Sequence, residues 1–417
     1  MKKKILLILF ITGLAFMSCE TNDDSDYAEY LVARPLVISK ADLTVVDIIA
    51  PTPINESGKV YTYGSYIFIN DKYQGVHVVD NSNPLQPRKI AFIKIPGNVD
   101  ISVKDNFLYA DSLTDLVVLD ISDINSIELV KRLENVLHNN VFWPFEADII
   151  EDGEYDFETE ILIGWETVTE RRLIAEVEEQ RNNGGFFIDD LALAETADGG
   201  NVGQGGSLAR FKIVEDYLYA VDSHNINVFN ISDLDNPVDL EDVYAGFDIE
   251  TIFNRGNHLF LGSMRGMYIY DITSPATPTF VSEFQHGTAC DPVVVDGDYA
   301  YVTLRGGNGC GALESGLFIV DISDIENPEL AIDYPMDEPY GLGIKDEKLF
   351  VCDGSSGLKV YDKTDVMELE QLNHFKDIVT FDVIPLDSHL IMVGDEVLYQ
   401  YEYLGDDIKL MSQIDLK

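Results

Sequence analysis

Short apolar runs of four to six residues, bounded by Gly, Asp, Asn, Ser or Pro, recur from about residue 58 to the C-terminal region. Runs this short, rich in Val, Ile, Leu, Tyr and Phe, predict strands. They come in pairs. The first member opens with an aromatic or polar residue and continues L-[YF]-[VIA] or close to it: Tyr66–Ile69, Phe107–Ala110, Tyr217–Ala220, His258–Leu261, Tyr299–Val302, Lys348–Val351 and His389–Met392. The second follows after a tight turn and ends in most copies on Asp: Gly75–Asp80, Leu116–Asp120, Ile226–Asn230, Gly266–Asp271, Gly316–Asp321, Gly357–Asp362 and the degenerate Val397–Tyr401. The closing residues at 80, 120, 230, 271, 321, 362 and 401 are spaced by 40, 110, 41, 50, 41 and 39 residues.

A period near 40 with four short strands per unit predicts propeller blades. Each unit reads as an inner strand such as Gly341–Ile344, the two strands above, and a more polar outer strand such as Leu369–Phe375. Between the last two lie Asn81–Pro84, Ile231–Pro237, Ile272–Pro275 and Ile322–Pro328, whose Ser, Asp, Asn and Pro pre-set a turn. The Asp closing the third strand is expected to accept backbone N–H groups there and has no catalytic reading. The expected fold class is all-β, a β-propeller of seven four-stranded blades, with six or eight as alternatives. Ser39–Ile49 is apolar enough to add a strand to the last blade beside Lys409–Leu416, closing the ring.

The strands Leu317–Ser323 and Leu116–Ser122 resemble the bacterial LVIVD-repeat family, named for that strand motif. The resemblance spans about residues 58–404 apart from one long interval. It implies a β-propeller on a secreted or surface protein and carries little functional content.

The 110-residue interval exceeds one period by about 70 residues, most of them an insertion at about 139–206 that holds 17 acids and 3 bases. Within it, Glu160–Thr169 alternates as a strand extending blade two, and Glu170–Gln180 reads as its partner or a short helix. Loops this long inside a compact domain are commonly functional; a cap over one mouth of the propeller and a decorative excursion are the two readings.

The N-terminus carries an address. Lys2, Lys3 and Lys4 precede an apolar stretch from Ile5 to Phe16, too short to span a bilayer. It ends at Phe16-Met17-Ser18-Cys19, which resembles a bacterial lipobox, with Phe where most carry Leu. Residues 1–18 are therefore expected to be a lipoprotein signal peptide, Cys19 the acylated residue, and 19–35 an acidic tether. The propeller with its insertion then fills 36–417. The acids after Cys19 resemble tags of lipoproteins on the outer face of the outer membrane. This implies a membrane partner through the lipid, with palmitate among its chains, and a bacterial cell-surface location.

Charge adds an exclusion. Lys and Arg number 28 against 74 Asp and Glu, a net −46, or −49 without the signal. Phosphate backbones need Lys and Arg, so nucleic acid is excluded as a partner. No cofactor is required, although such an acidic chain admits low-specificity Ca²⁺ binding. Motifs of serine hydrolases, zinc peptidases, nucleotide binders and dinucleotide binders are absent from the sequence. Of the four cysteines, Cys290 and Cys310 lie at loop ends in the fifth repeat and are expected to pair in an exported protein. Cys352 sits in a strand as a buried thiol.

One constellation follows from the register. Counting back eight residues from the leucine position of each L-[YF] strand reaches the start of each inner strand: Lys59, Asp100, Arg210, Thr251, Pro292, Gly341 and Asp382. One extra residue in blades four to six moves Glu250, Asp291 and Tyr340 into place. The ring Lys59, Asp100, Arg210, Glu250, Asp291, Tyr340 and Asp382 is the candidate ligand site at the channel mouth, with His286 and Arg305 near the same face. No catalytic residue is assigned. The leading function is a non-enzymatic, monomeric binding module for a protein, glycan or cation. The alternatives are an extracellular hydrolase or lyase using channel carboxylates, and a structural part of an envelope complex.

Overall fold

A computed structural model describes residues 27–138, 141, 143–144, 147–151, 153, 155–182, 204–285, 292–306, 315–405 and 407–417. Cys19, His286, Cys290, Asp291, Cys310 and the signal segment lie outside them.

The repeats fold as expected. Among the described residues, seven antiparallel sheets each contain a run of four strands in sequential order from inner to outer; one has its outer strand in two pieces, and one carries a further strand at each edge, six in all. Blade 1 comprises Ser57–Tyr63, Tyr66–Asp71, Gly75–Asp80 and Arg88–Lys94. The inner strands of blades 2 to 7 are Ile101–Lys104, Phe211–Val214, Ile249–Arg255, Val293–Asp296, Leu342–Lys345 and Thr380–Pro385. In blade 3 the outer strand is split into Val238–Asp239 and Val243–Tyr244. Blade 7 ends in Val397–Leu404 and Asp407–Asp415.

Why these residues make blades is visible in the packing. Both faces of the middle strands are apolar, so each sheet must bury both sides against neighbours. It does so in seven clusters, one per interface. Blades 1 and 2 meet around Phe68, Ile93 and Leu119. Blades 2 and 3 meet around Tyr109 and Phe229, and the series continues through 3 and 4, 4 and 5, 5 and 6, and 6 and 7. The seventh cluster joins Ile67, Ile69 and Val79 of blade 1 to Ile384, Ile391, Leu398 and Ile414 of blade 7. The ring therefore closes by side-chain packing. Asn81 and Gln400 exchange side-chain hydrogen bonds at 2.9 and 3.0 Å across that seam, and Lys89 donates to the Leu416 carbonyl at 2.9 Å.

The closing Asp of the third strand has its expected role. Asp80, Asp120, Asp271, Asp321 and Asp362 each accept the backbone N–H two residues on. The hydroxyls of Ser122, Ser323 and Thr364, together with these backbone bonds, hold the Asp120, Asp321 and Asp362 carboxyls below their ordinary value, and Asp80, with the Ser82 hydroxyl and N–H and then Arg88, falls to about 2. In six blades the third and fourth strands slip register at the same level, for example between Val78 and Val79 and between Val360 and Tyr361. A repeated bulge increases local twist at the blade's outer edge.

Three expectations about the excursions are corrected. Asp47–Ile49 does not join the last blade; it pairs with Phe92–Lys94 as a fifth outer strand of blade 1. Blade 7 has its own outer strand from the C-terminal residues, so that edge was already filled. Glu160–Leu173 does not extend blade two. It pairs antiparallel with Tyr27–Ser39, which also takes Ile149–Ile150 in parallel, forming a separate three-stranded sheet. Residues 27–35, expected to belong to a tether, are strand instead, because Val32 and Ala33 find a buried place against Ile149, Ile150 and Trp165. Of the two readings for the next segment, the short helix holds, at Ile174–Asn182.

Candidate functional site

Five of the seven residues of the sequence-derived ring come together. Lys59, Arg210, Glu250, Tyr340 and Asp382, from blades 1, 3, 4, 6 and 7, line one cavity of about 240 Å³ at the channel mouth, with Glu56, Lys72, Val99, Leu208 and Phe381 among the other walls. Three of these positions lie at bulges. The inner strands of blades 1, 4 and 7 slip register between Ser57 and Val60, Ile249 and Thr251, and Thr380 and Asp382. In blade 4 Glu250 is itself the extra residue, which is why the sequence count needed one added position there.

Asp100 is not part of this lining and is nearly inaccessible. Its carboxylate accepts the N–H groups of Ile101, Arg210 and Phe211 and lies 3.5 Å from the Lys59 ammonium. One side chain thus joins blades 1, 2 and 3. Asp382 plays a related part opposite: its Oδ1 accepts Val383 N–H at 2.8 Å, Ser207 N–H at 3.0 Å and the Ser207 hydroxyl at 2.9 Å. Burial dominates the electrostatics. It pushes Asp382 up to about 7 against its hydrogen bonds, and pushes Lys59 down to about 7 against the pull of Asp100. Arg210 is lowered from its ordinary value by burial, opposed by Asp111, Asp222, Glu250 and Asp100. Arg305 belongs to the same face, its guanidinium 4.0 Å above the Tyr340 ring.

Ser207 exposes a feature that the sequence reading did not anticipate. The end of the insertion enters the channel. Gln204–Gly205 pairs with Tyr61 and Thr62 on the inner edge of blade 1. Gln204 Nε2 donates to the Pro385 carbonyl at 3.3 Å in blade 7, and the Ser207 hydroxyl accepts Leu342 N–H of blade 6 at 2.7 Å. The segment Gln204–Leu208 is a plug. The mouth cavity lies on one side, and a second cavity of about 190 Å³, lined by Gln204–Ser207, Phe253, Val294 and Leu342–Ile344, on the other. Gly206 and Gly341 are required here, since a Cβ on either would collide with the Asp382 carboxylate. The described end of the insertion lies within the channel; residues 183–203, on which the cap reading rests, fall outside the described residues.

A second set of carboxylates also escaped the sequence reading. Asp71, Asp111, Asp222 and Asp353 fall four or five residues after the residue that opens each second strand, and all are buried. Each accepts nearby backbone N–H groups: Asn55 and Glu56, Val99 and Asp100, His224 and Asn225, Asp337 and Glu338. Burial raises Asp111 to about 6. The third strand supplies side-chain partners in three blades: His77 at 3.3 Å from Asp71, Asn227 at 3.1 Å from Asp222, and the Lys359 ammonium on Asp353. The recurring acid at that offset was the available signal. Cys352, in the second strand of blade 6, is a free buried thiol, pushed up by burial.

Among the described residues, no group of three or more His, Cys, Asp and Glu is arranged to hold a metal ion.

Comparison with known proteins agrees with the architecture. The LVIVD repeat model matches residues 37–62, 56–90, 97–134 and 286–335. No curated protein matches this sequence. Among solved structures, a functionally unknown protein from Desulfotomaculum acetoxidans is similar with a TM-score of 0.51 at 10% identity, covering 84% of this chain and 96% of its own. A protein from Lactobacillus plantarum gives 0.51 at 12% identity, covering 79% and 87%. BamB from Moraxella catarrhalis gives 0.46 at 9%, covering 79% and 78%. At these identities the two likenesses at 0.51 speak to fold alone. The seven sheets, the seven interfaces that close them and the matched repeats together show a chain that carries LVIVD repeats and folds as a seven-bladed β-propeller.

Proposed function

We propose that this chain is a lipid-anchored, surface-exposed binding module of the bacterial envelope, and that it holds a small ligand of mixed charge at the plugged mouth of its channel. The observation that carries the reading is the convergence of Lys59, Arg210, Glu250, Tyr340 and Asp382 from five blades on one cavity with a closed floor. Such a site offers cationic and anionic partners on a mostly apolar wall, the usual composition of a small-ligand pocket. The carboxylate bonding favours binding over hydrolysis. Asp100 and Asp382 are tied to main-chain N–H groups of neighbouring segments, which suits fixed geometry more than proton transfer. Anchoring through Cys19, a Cys290–Cys310 disulfide and weak Ca²⁺ binding belong to the same proposal.

Thermal-shift measurements with amino acids, dipeptides, neutral sugars and uronic acids test the site. At least one zwitterionic compound is expected to raise the midpoint for the wild type and to lose that effect in Glu250→Gln. Absence of any shift, or a shift that Glu250→Gln leaves intact, overturns the site. Turnover of the bound compound, followed by NMR, would move the reading to the hydrolase alternative. Labelled palmitate incorporated by wild-type cells and lost in Cys19→Ala tests the anchor.

A further inference from the structure

Away from the channel, the loop between blades 3 and 4 presents aromatic rings to solvent. Tyr244 is 57% and Phe247 50% exposed, although a folded chain with this much apolar sequence has buried most of its large side chains. Their rings meet edge to face at 6.0 Å, and His224 meets Phe247 in the same manner at 5.6 Å. The Arg265 guanidinium stacks 5.4 Å from the Phe247 ring and is held there by Asp248 at 3.0 Å. Beside them opens a groove of about 410 Å³, lined by Phe247, Arg265, Tyr268, Glu283 and Gln285 among others. Small-ligand sites run from about 300 to 1,000 Å³.

The loop is rigid. Ala245 and Gly246 donate their N–H groups to the His224 carbonyl at 2.8 and 3.3 Å, and Ile249 N–H reaches the Ser223 carbonyl at 3.1 Å. Ala245 is buried, and its carbonyl accepts the Tyr270 hydroxyl at 3.2 Å. Gly246, at φ +141°, lies flat beneath the Tyr268 ring, where a Cβ would stand 3.0 Å from Cζ. The exposed rings are therefore held in place before anything binds, so little conformational entropy is lost on association.

We propose that this groove between blades 3 and 4 is a binding site for a neutral glycan. A sugar ring has an apolar C–H face, which packs on an exposed aromatic, and a rim of hydroxyls, which needs donors and acceptors side by side. The groove supplies both: Phe247 as platform, with Tyr244 packed edge-on against it at the rim, Arg265 as donor, Glu283 as acceptor and Gln285 as either. Glu283 and Gln285 are already hydrogen-bonded at 2.6 Å, giving the paired geometry that vicinal hydroxyls match. The net charge of −46, with Asp248 and Glu283 at the groove, repels polyanionic sugars and selects uncharged ones.

Calorimetric titration of the full chain with maltohexaose, cellohexaose and xylohexaose, with oligogalacturonate as the anionic control, tests the proposal. One or more neutral hexasaccharides are expected to bind at millimolar concentration or below, and oligogalacturonate not to bind. Phe247→Ala and Tyr244→Ala change exposed side chains, so they should fold; each is expected to lower the affinity tenfold or more. Glu250→Gln in the channel should leave it unchanged, which separates this site from the one at the mouth. No binding by any neutral hexasaccharide, equal binding of the anionic control, or binding that survives Phe247→Ala overturns the proposal.

Discussion

Replacing Asp382 by Asn isolates what a single buried carboxylate costs this ring. Asp382 is 3% exposed and is pushed from its ordinary 3.8 to about 7. With each pH unit worth about 1.4 kcal/mol, that displacement corresponds to on the order of 4 kcal/mol. The sign follows from proton counting. The folded chain holds the proton at pH values where the unfolded chain has already released it, so stability falls as pH rises from about 4 to about 7. Asn imitates the protonated acid and keeps an oxygen to accept from Ser207 and Val383. The variant should therefore match the wild type near pH 4 and exceed it by up to about 4 kcal/mol at pH 8. With an unfolding entropy near 2.1 cal/mol/K per residue over about 390 residues, this is a rise of roughly 5 °C in Tm. Lys59 acts in the opposite sense. Its lowered value makes stability recover between about pH 7 and 10.5, but it is present in both proteins and leaves the comparison to Asp382. Scanning calorimetry of both proteins at pH 5, 6, 7 and 8 reads the difference. A gap that stays flat across this range, or one that favours the wild type at pH 8, would refute burial as the cause.

Two further substitutions probe the neighbouring contacts. Ser207→Ala removes a donor to Asp382 and the acceptor of the Leu342 N–H, a loss of about 1–3 kcal/mol in urea unfolding. Lys359→Met leaves the fully buried Asp353 without its cation and should cost about 3–5 kcal/mol, while the double variant Lys359→Met/Asp353→Leu should recover part of that loss.

How far the chain could be read in advance depended on whether a signal was local. The blades were legible because each middle strand carries its own apolar run and its own turn. The ring of Lys59, Asp100, Arg210, Glu250, Tyr340 and Asp382 was legible because a repeat supplies a register that one motif would not. The excursions had no such ruler. Tyr27–Ser39 pairs with Glu160–Leu173, more than 100 residues away, and nothing in either segment names the other. Asp47–Ile49 had two sheet edges to choose from, and the outer edge of blade 7 was occupied. The plug was opaque for a different reason. Gln204–Leu208 has the small, polar, glycine-rich composition of a solvated loop, and that composition is what lets it lie flat between inner strands.

That plug changes how the propeller must assemble. In a repeat array, stability is close to a sum of units and nearest-neighbour interfaces, and folding can spread from any point. Here one short segment is bonded to blade 1, about 140 residues earlier in the chain, and to blades 6 and 7, 135 to 175 residues later. Closing loops of that length carries an entropic cost that only the completed ring can offset. The segment can find all its partners only after the last two blades exist, so its seating belongs to the final stage of folding. Once seated, it couples blades 1 and 6, which share no interface. Damage to blade 1 is then felt in blade 6, and the two ends of the repeat array are held against fraying.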